Sequence, residues 1–195
     1  MIRAILSVIL FVQLAAAQDT SRVDAGRLAL FGGVAVGTVT AIHFYQQQAW
    51  WQGSRGEFWF VNDWGYSRGV DKLGHMYGAY LGTYLSSYAL QWCGLSERKS
   101  LLYGAITAMA FEFFIEIEDG FHNNYGFSAG DCFADVAGAT LPLAQYRFPV
   151  LQNFNLKWSY WPSEGYLEDV RAGQARAFID DYEGQAYWLA IDLLP

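Results

Sequence analysis

The sequence predicts a mainly α protein: a four-helix bundle of short apolar helices with a small two-stranded β tail at the C-terminus. Three observations carry this. Four apolar segments are each long enough for a helix and too long for an ordinary strand. The connections at 93–99 and 120–129 are short, which makes successive helices antiparallel neighbours. After residue 147 the apolar period falls to two, the period of strands.

The chain opens MIRAILSVILFVQLAAAQDT. Arg3 supplies a positive start, Ala4 to Leu14 an apolar stretch and Ala15-Ala16-Ala17 a small-residue site, so residues 1–17 read as a secretory signal cut after Ala17. There is no Cys near the cut to take a lipid. The expected helices follow at 28–45, 72–92, 100–119 and 130–146, with small residues recurring inside them. Gly74, Gly78 and Gly82 share one helix face, a pattern that lets helix backbones approach closely. Between the first two helices, residues 46–69 are crowded with aromatics: Trp50, Trp51, Phe58, Trp59, Phe60, Trp64 and Tyr66. Such a belt suits a membrane–water interface or a loop folded over the core. Residues 18–147 are therefore expected to form the bundle and 148–195 an aromatic-rich tail. In the tail, NLKWSYW (155–161) and QAYWLAIDL (185–193) alternate as strands, with a short helix or loop at 168–184 between them.

Hydrophobic residues make up 53% of the chain and charged residues 16%, against about 25% in ordinary soluble domains. That composition points to an envelope or membrane-associated protein. The net charge of −7 excludes a nucleic-acid partner, which requires a basic surface, and disfavours electrostatic docking on anionic lipid. Export permits disulfides. The layout places the two cysteines, Cys93 and Cys132, at opposite ends of the bundle, so no bridge is expected.

The ionisable residues fall into pairs at helical spacing: Asp71 with His75, Glu112 with Glu116, Asp131 with Asp135. Spacing of four puts each pair on one helix face. Antiparallel connectivity brings the start of the second helix, the finish of the third and the start of the fourth to one end. Asp71, Lys72, His75, Glu112, Glu116, Asp119, Asp131 and Asp135 form the candidate polar cluster there, and His43 arrives if the first helix is antiparallel to the second. Asp71 and Asp131 occupy positions where helix caps sit, and Glu118 and Asp119 read as solvated at a helix end. Glu112 and Glu116, flanked by apolar residues, need partners; Lys72 and His75 are the natural ones. Asp71, His75, Glu116 and Asp131 are also candidate metal ligands, with Glu112 as a possible base. No metalloprotease signature or G-x-S-x-G elbow accompanies them, and His122 reads as a loop residue.

Asp71-Lys72-Leu73-Gly74-His75, the Glu112/Glu116 helix, and Gly130-Asp131 through Asp135 to Gly138 together resemble the YfiM-like family of exported envelope proteins of unknown function, many of them predicted lipoproteins. The wider layout resembles VanZ-like membrane proteins, whose pattern runs Asp-Lys-x-x-His, then Glu, then Asp with Asn and Gly downstream. Asp135 stands where that pattern has Asn, and the lipidated Cys is missing. The resemblance implies an envelope location and a helical architecture.

The expected function is that of a non-enzymatic envelope protein without a cofactor, partnered by membrane lipid or an envelope protein. The alternative is a metal-dependent hydrolase acting on an envelope lipid or glycan. The expected location is the periplasm or a membrane-associated site in the envelope. A multi-span inner-membrane protein is the alternative, opposed by the distribution of Lys and Arg between the two ends.

Overall fold

The computed structural model describes residues 23–53, 55–174 and 177–193; the expected signal sequence lies outside them. The protein is mainly helical. Helix α1 spans Ala25–Ala49, α2 Val70–Trp92, α3 Glu97–Asp119 and α4 Ala129–Arg147. All four expected segments are helices, each extended by a few residues. A two-residue parallel pair joins β1 (Phe60–Val61) to β2 (Phe127–Ser128) beside the α3–α4 connection. The tail is an antiparallel pair of β3 (Phe154–Tyr160) and β4 (Gln185–Ile191), with α5 (Glu164–Arg171) between them. Its register sets Leu156 opposite Leu189 and Trp158 opposite Tyr187.

Two strands alone make a marginal sheet, and this one is held on the bundle. Tyr77 of α2 packs against Trp158 and Tyr187, with ring centroids 6.3 and 6.0 Å apart. Gln145 of α4 donates to the Phe154 carbonyl at 2.7 Å.

Helices α2, α3 and α4 form a tight trio. Where they cross, α3 and α4 present glycine to α2. A Cβ on Gly104 would stand 2.6 Å from the Thr83 carbonyl oxygen, and one on Gly138 would collide with the Met76 carbonyl. The stripe on α2 has a different use from close backbone approach. Gly74 faces the Tyr187 hydroxyl, Gly78 the Glu112 carboxylate and Gly82 the Ala108 side chain. Helix α1 is antiparallel to α2. Its start is tied by Asp24 N–H donating to the Cys93 carbonyl at 2.9 Å, and Leu28 packs on Leu90 and Leu95. At its far end Ala35, Val39 and Trp51 pack around Phe114. Cys93 ends α2 and Cys132 lies in the first turn of α4; both are free thiols.

The packing is inverted relative to a water-soluble bundle. The interior between α2, α3 and α4 holds Ala79, Ala105 and Ala139 with Thr83, Ser87, Ser100, Glu116, Asp131, Asp135 and Gln145, beside a smaller set of large apolar side chains that includes Tyr80, Leu90, Leu101 and Phe114. Large apolar side chains point outwards from every helix: Leu30 and Val34, Leu81 and Leu85, Leu102 and Phe113, Phe133 and Val136. Leu85 is 61% exposed and Phe133 66%. Among the described residues, two helices, α1 and α3, are long and apolar enough to cross a membrane.

Candidate functional site

The polar cluster sits where α2 and α4 begin and α3 ends. Each helix end has its own local cause. The chain enters α2 through a left-handed turn, with Ser67 at φ 44°, Arg68 at φ 56° and Gly69 at φ 81°. Gly69 is the N-cap of α2, so Asp71 lies inside the first turn instead of capping it. Ser128 is the N-cap of α4: its hydroxyl oxygen accepts from the Asp131 N–H at 3.1 Å, which makes Asp131 a first-turn residue too. Both carboxylates still lie near the positive end of a helix dipole.

Lys72 is buried at the centre of one half of the cluster. Its ammonium lies 2.9 Å from Asp63 Oδ1, 2.9 Å from Asp71 Oδ2 and 2.7 Å from Asp131 Oδ1. It therefore does not serve Glu112 and Glu116, the partners expected from the sequence. Asp63 comes from the segment after β1, and the Ser128 hydroxyl donates to it at 2.6 Å. Partial burial works to raise the Asp63 carboxyl, but the hydrogen bonds from Lys72 and Ser128 outweigh it and hold the group below its usual value. Its stabilising contribution is thus present above the ordinary carboxylate range and is lost as the pH falls through its depressed folded value.

His75 is the centre of the other half. Its Nδ1 lies 3.1 Å from Asp135 Oδ1, and its Nε2 lies 3.7 Å from Asp131 Oδ1 and 3.9 Å from Glu116 Oε1. Glu116 also accepts from the Ser128 backbone N–H at 3.0 Å. Glu112, one turn earlier on α3, lies over Gly78, its Oε1 3.1 Å from where a Cβ there would stand. Asp135 is 0% exposed. Seven of the eight expected residues thus meet here: Asp71, Lys72, His75, Glu112, Glu116, Asp131 and Asp135.

Asp119 stands apart at the same end, accepting from the Trp51 indole N–H. Neither it nor Glu118 is solvated as the sequence suggested. Glu118 is buried and faces Arg55, 3.1 Å away. The reason is the aromatic segment, which folds back over the end of α3 and covers both acids. His122 is buried in that fold: its ring stacks on Trp51 with centroids 5.7 Å apart, and its Nδ1 lies 2.7 Å from the Glu118 carbonyl oxygen. His43 reaches this end but sits among Trp51 and Phe114, outside the cluster.

The sequence reading missed Asp63, Ser128, Arg55 and Tyr182. One had a readable sign: Ser128-x-x-Asp131 is a capping pattern. Tyr182, from the tail, donates its hydroxyl to Asp71 Oδ1 at 2.8 Å. Burial and the neighbouring Asp71 both push the Tyr182 phenol far above its usual value, so it remains a donor across the physiological range. Tyr182→Phe is expected to cost about 0.5–1.5 kcal/mol, the net worth of such a bond, read as a lower unfolding midpoint in detergent.

These features define a class: a helical bundle with apolar outer faces and a charged cluster closed under aromatic loops at one end. Residues 56–147 match the family model described as a predicted periplasmic lipoprotein (DUF2279). The matched segment runs from the aromatic connection to the last residue of α4, so it spans the whole cluster except the tail's Tyr182. It makes this chain similar to uncharacterised exported envelope proteins. No curated protein and no solved structure matched.

Proposed function

We propose that this is a non-enzymatic protein of the cell envelope whose helical bundle lies in lipid and whose polar cluster locks α2, α3 and α4 together at one end. The observation that carries the reading is the inverted packing. In water, outward Leu, Val and Phe on all four helices would be a large uncovered apolar surface. In hydrocarbon the same arrangement is favourable: small residues let helices approach, and ionisable groups turn to the bundle interior.

Dimensions and flanks support it. A helix of 23 residues such as α3 is about 34 Å long, close to the roughly 30 Å hydrocarbon thickness. Exposed aromatics mark both ends: Phe60, Trp64 and Tyr66 at one, and Tyr88, Trp92, Tyr146 and Phe148 at the other. At the second end Arg27 lies over the Trp92 ring and Arg147 over Phe148. Aromatic and basic residues of this kind anchor bundles at the headgroup level.

Fractionation tests it. The full-length protein is expected to stay with the membrane pellet through high-salt and alkaline carbonate washes and to leave it only in detergent. Release by salt or carbonate overturns the lipid-embedded bundle.

A further inference from the structure

We propose that His75, Glu116 and Asp135 bind one divalent transition-metal ion of the zinc or manganese kind. Among the described residues, two trios at this end bring a ligand atom from each member within 4.8 Å of the others: Asp71, His75 and Asp131, and His75, Glu116 and Asp135. Charge chooses between them. The first trio already surrounds the Lys72 ammonium, 2.9 Å from Asp71 and 2.7 Å from Asp131. A metal ion placed there would be repelled by a fixed cation. Among the described residues, the second trio has the imidazole of His75 set against Glu116, Asp135, the neighbouring Glu112 and Asp131, whose Oδ1 lies 3.7 Å from Nε2.

Three further features fit an ion. Asp135 is fully buried, and its Oδ2 has no hydrogen-bond partner among the described residues. Such an atom in a low-dielectric interior is costly, and a metal ion satisfies it. The hydrogen bond between His75 Nδ1 and Asp135 Oδ1, 3.1 Å long, orients the ring and turns its Nε2 toward Glu116 Oε1, 3.9 Å away. The donor set of one imidazole and carboxylate oxygens suits zinc and manganese better than softer ions. Each ligand comes from a different helix, α2, α3 or α4, so the ion would tie the trio at the end the proposed function calls locked. Glu112, one turn before Glu116, is placed to fill a further position. The inference rests on this cluster and not on where the bundle resides, so its failure leaves the lipid reading intact.

The test uses the full chain in mild detergent, dialysed against Zn²⁺ or Mn²⁺ and then washed, with bound metal measured per protein. Wild type is expected to hold about one equivalent, and His75→Ala and Glu116→Gln less than a tenth of that. Glu116→Gln can still accept the Ser128 N–H, so it decides the matter if His75→Ala does not fold. Asp71→Asn is expected to keep its ion, while Asp135→Asn weakens binding at least tenfold. A folded wild type that takes up neither metal overturns the proposal, as does full retention in Glu116→Gln. Loss in Asp71→Asn with retention in Asp135→Asn moves the ion to the other trio and overturns the assignment made here.

Discussion

Replacing Lys72 with Met is expected to lower stability by about 3–5 kcal/mol, the cost of removing one partner from a buried charge cluster. The ammonium is shared by Asp63, Asp71 and Asp131, all within 2.9 Å. Met matches the length of the side chain, so little packing is lost and the effect isolates the charge. Three carboxylates then face one another across an apolar group, and the chain must protonate them or move the elements that carry them. Those elements are the segment after β1 and the first turns of α2 and α4. The double variant Lys72→Met with Asp131→Asn is expected to recover part of the loss, because one orphaned charge is gone. The check is chemical or thermal unfolding of the detergent-solubilised protein. A loss under about 1 kcal/mol would mean that Lys72 is a bystander.

The second large effect is expected at Gly138. An alanine methyl there has nowhere to go, because what it meets is the Met76 carbonyl of the facing helix and not the end of a flexible side chain. Overpacking of this kind costs about 1–3 kcal/mol, and here relief requires α2 and α4 to separate. Since Met76 follows His75 and Gly138 lies one turn beyond Asp135, the separation also stretches the 3.1 Å His75–Asp135 contact. Gly138→Ala should therefore lose stability and cluster geometry together. Gly33→Ala on α1 is the matched control. A Cβ at Gly33 meets nothing within 4 Å, so alanine's better helix propensity should make that change neutral or favourable by up to about 1 kcal/mol. Unfolding midpoints of the two variants, measured side by side, separate crowding from propensity. Equal midpoints would sink the crowding argument.

The helices were legible because apolar length is a local property of the chain. Residues 72–92 read as one helix and the structure gives Val70–Trp92. The gathering of Asp71, His75, Glu116 and Asp131 at one end was legible too, because two short connections leave antiparallel packing as the simple solution. What escaped was everything that depends on loop placement. Asp63 reaches Lys72 because Phe60 and Val61 pair with Phe127 and Ser128, and a two-residue pairing leaves no periodic trace in sequence. Arg55 and His122 meet through a single bridge for the same reason. The inversion of the bundle was hidden in another way. Periodicity says that a helix has faces, and composition says that the chain is apolar. Neither says which face turns inward when the interior must hold carboxylates.

Helix α1 adds a consequence in time. Helices α2, α3 and α4 each pack on both of the others, whereas α1 leans on them by Leu28 near its start and by Ala35 and Val39 farther along. Elements with few buried contacts open first. Amide exchange along Ala25–Ala49 should therefore outrun that of the trio. The molecule has a slow-exchanging heart and one early-opening flank, and unfolding begins at the flank while the charged end is still intact.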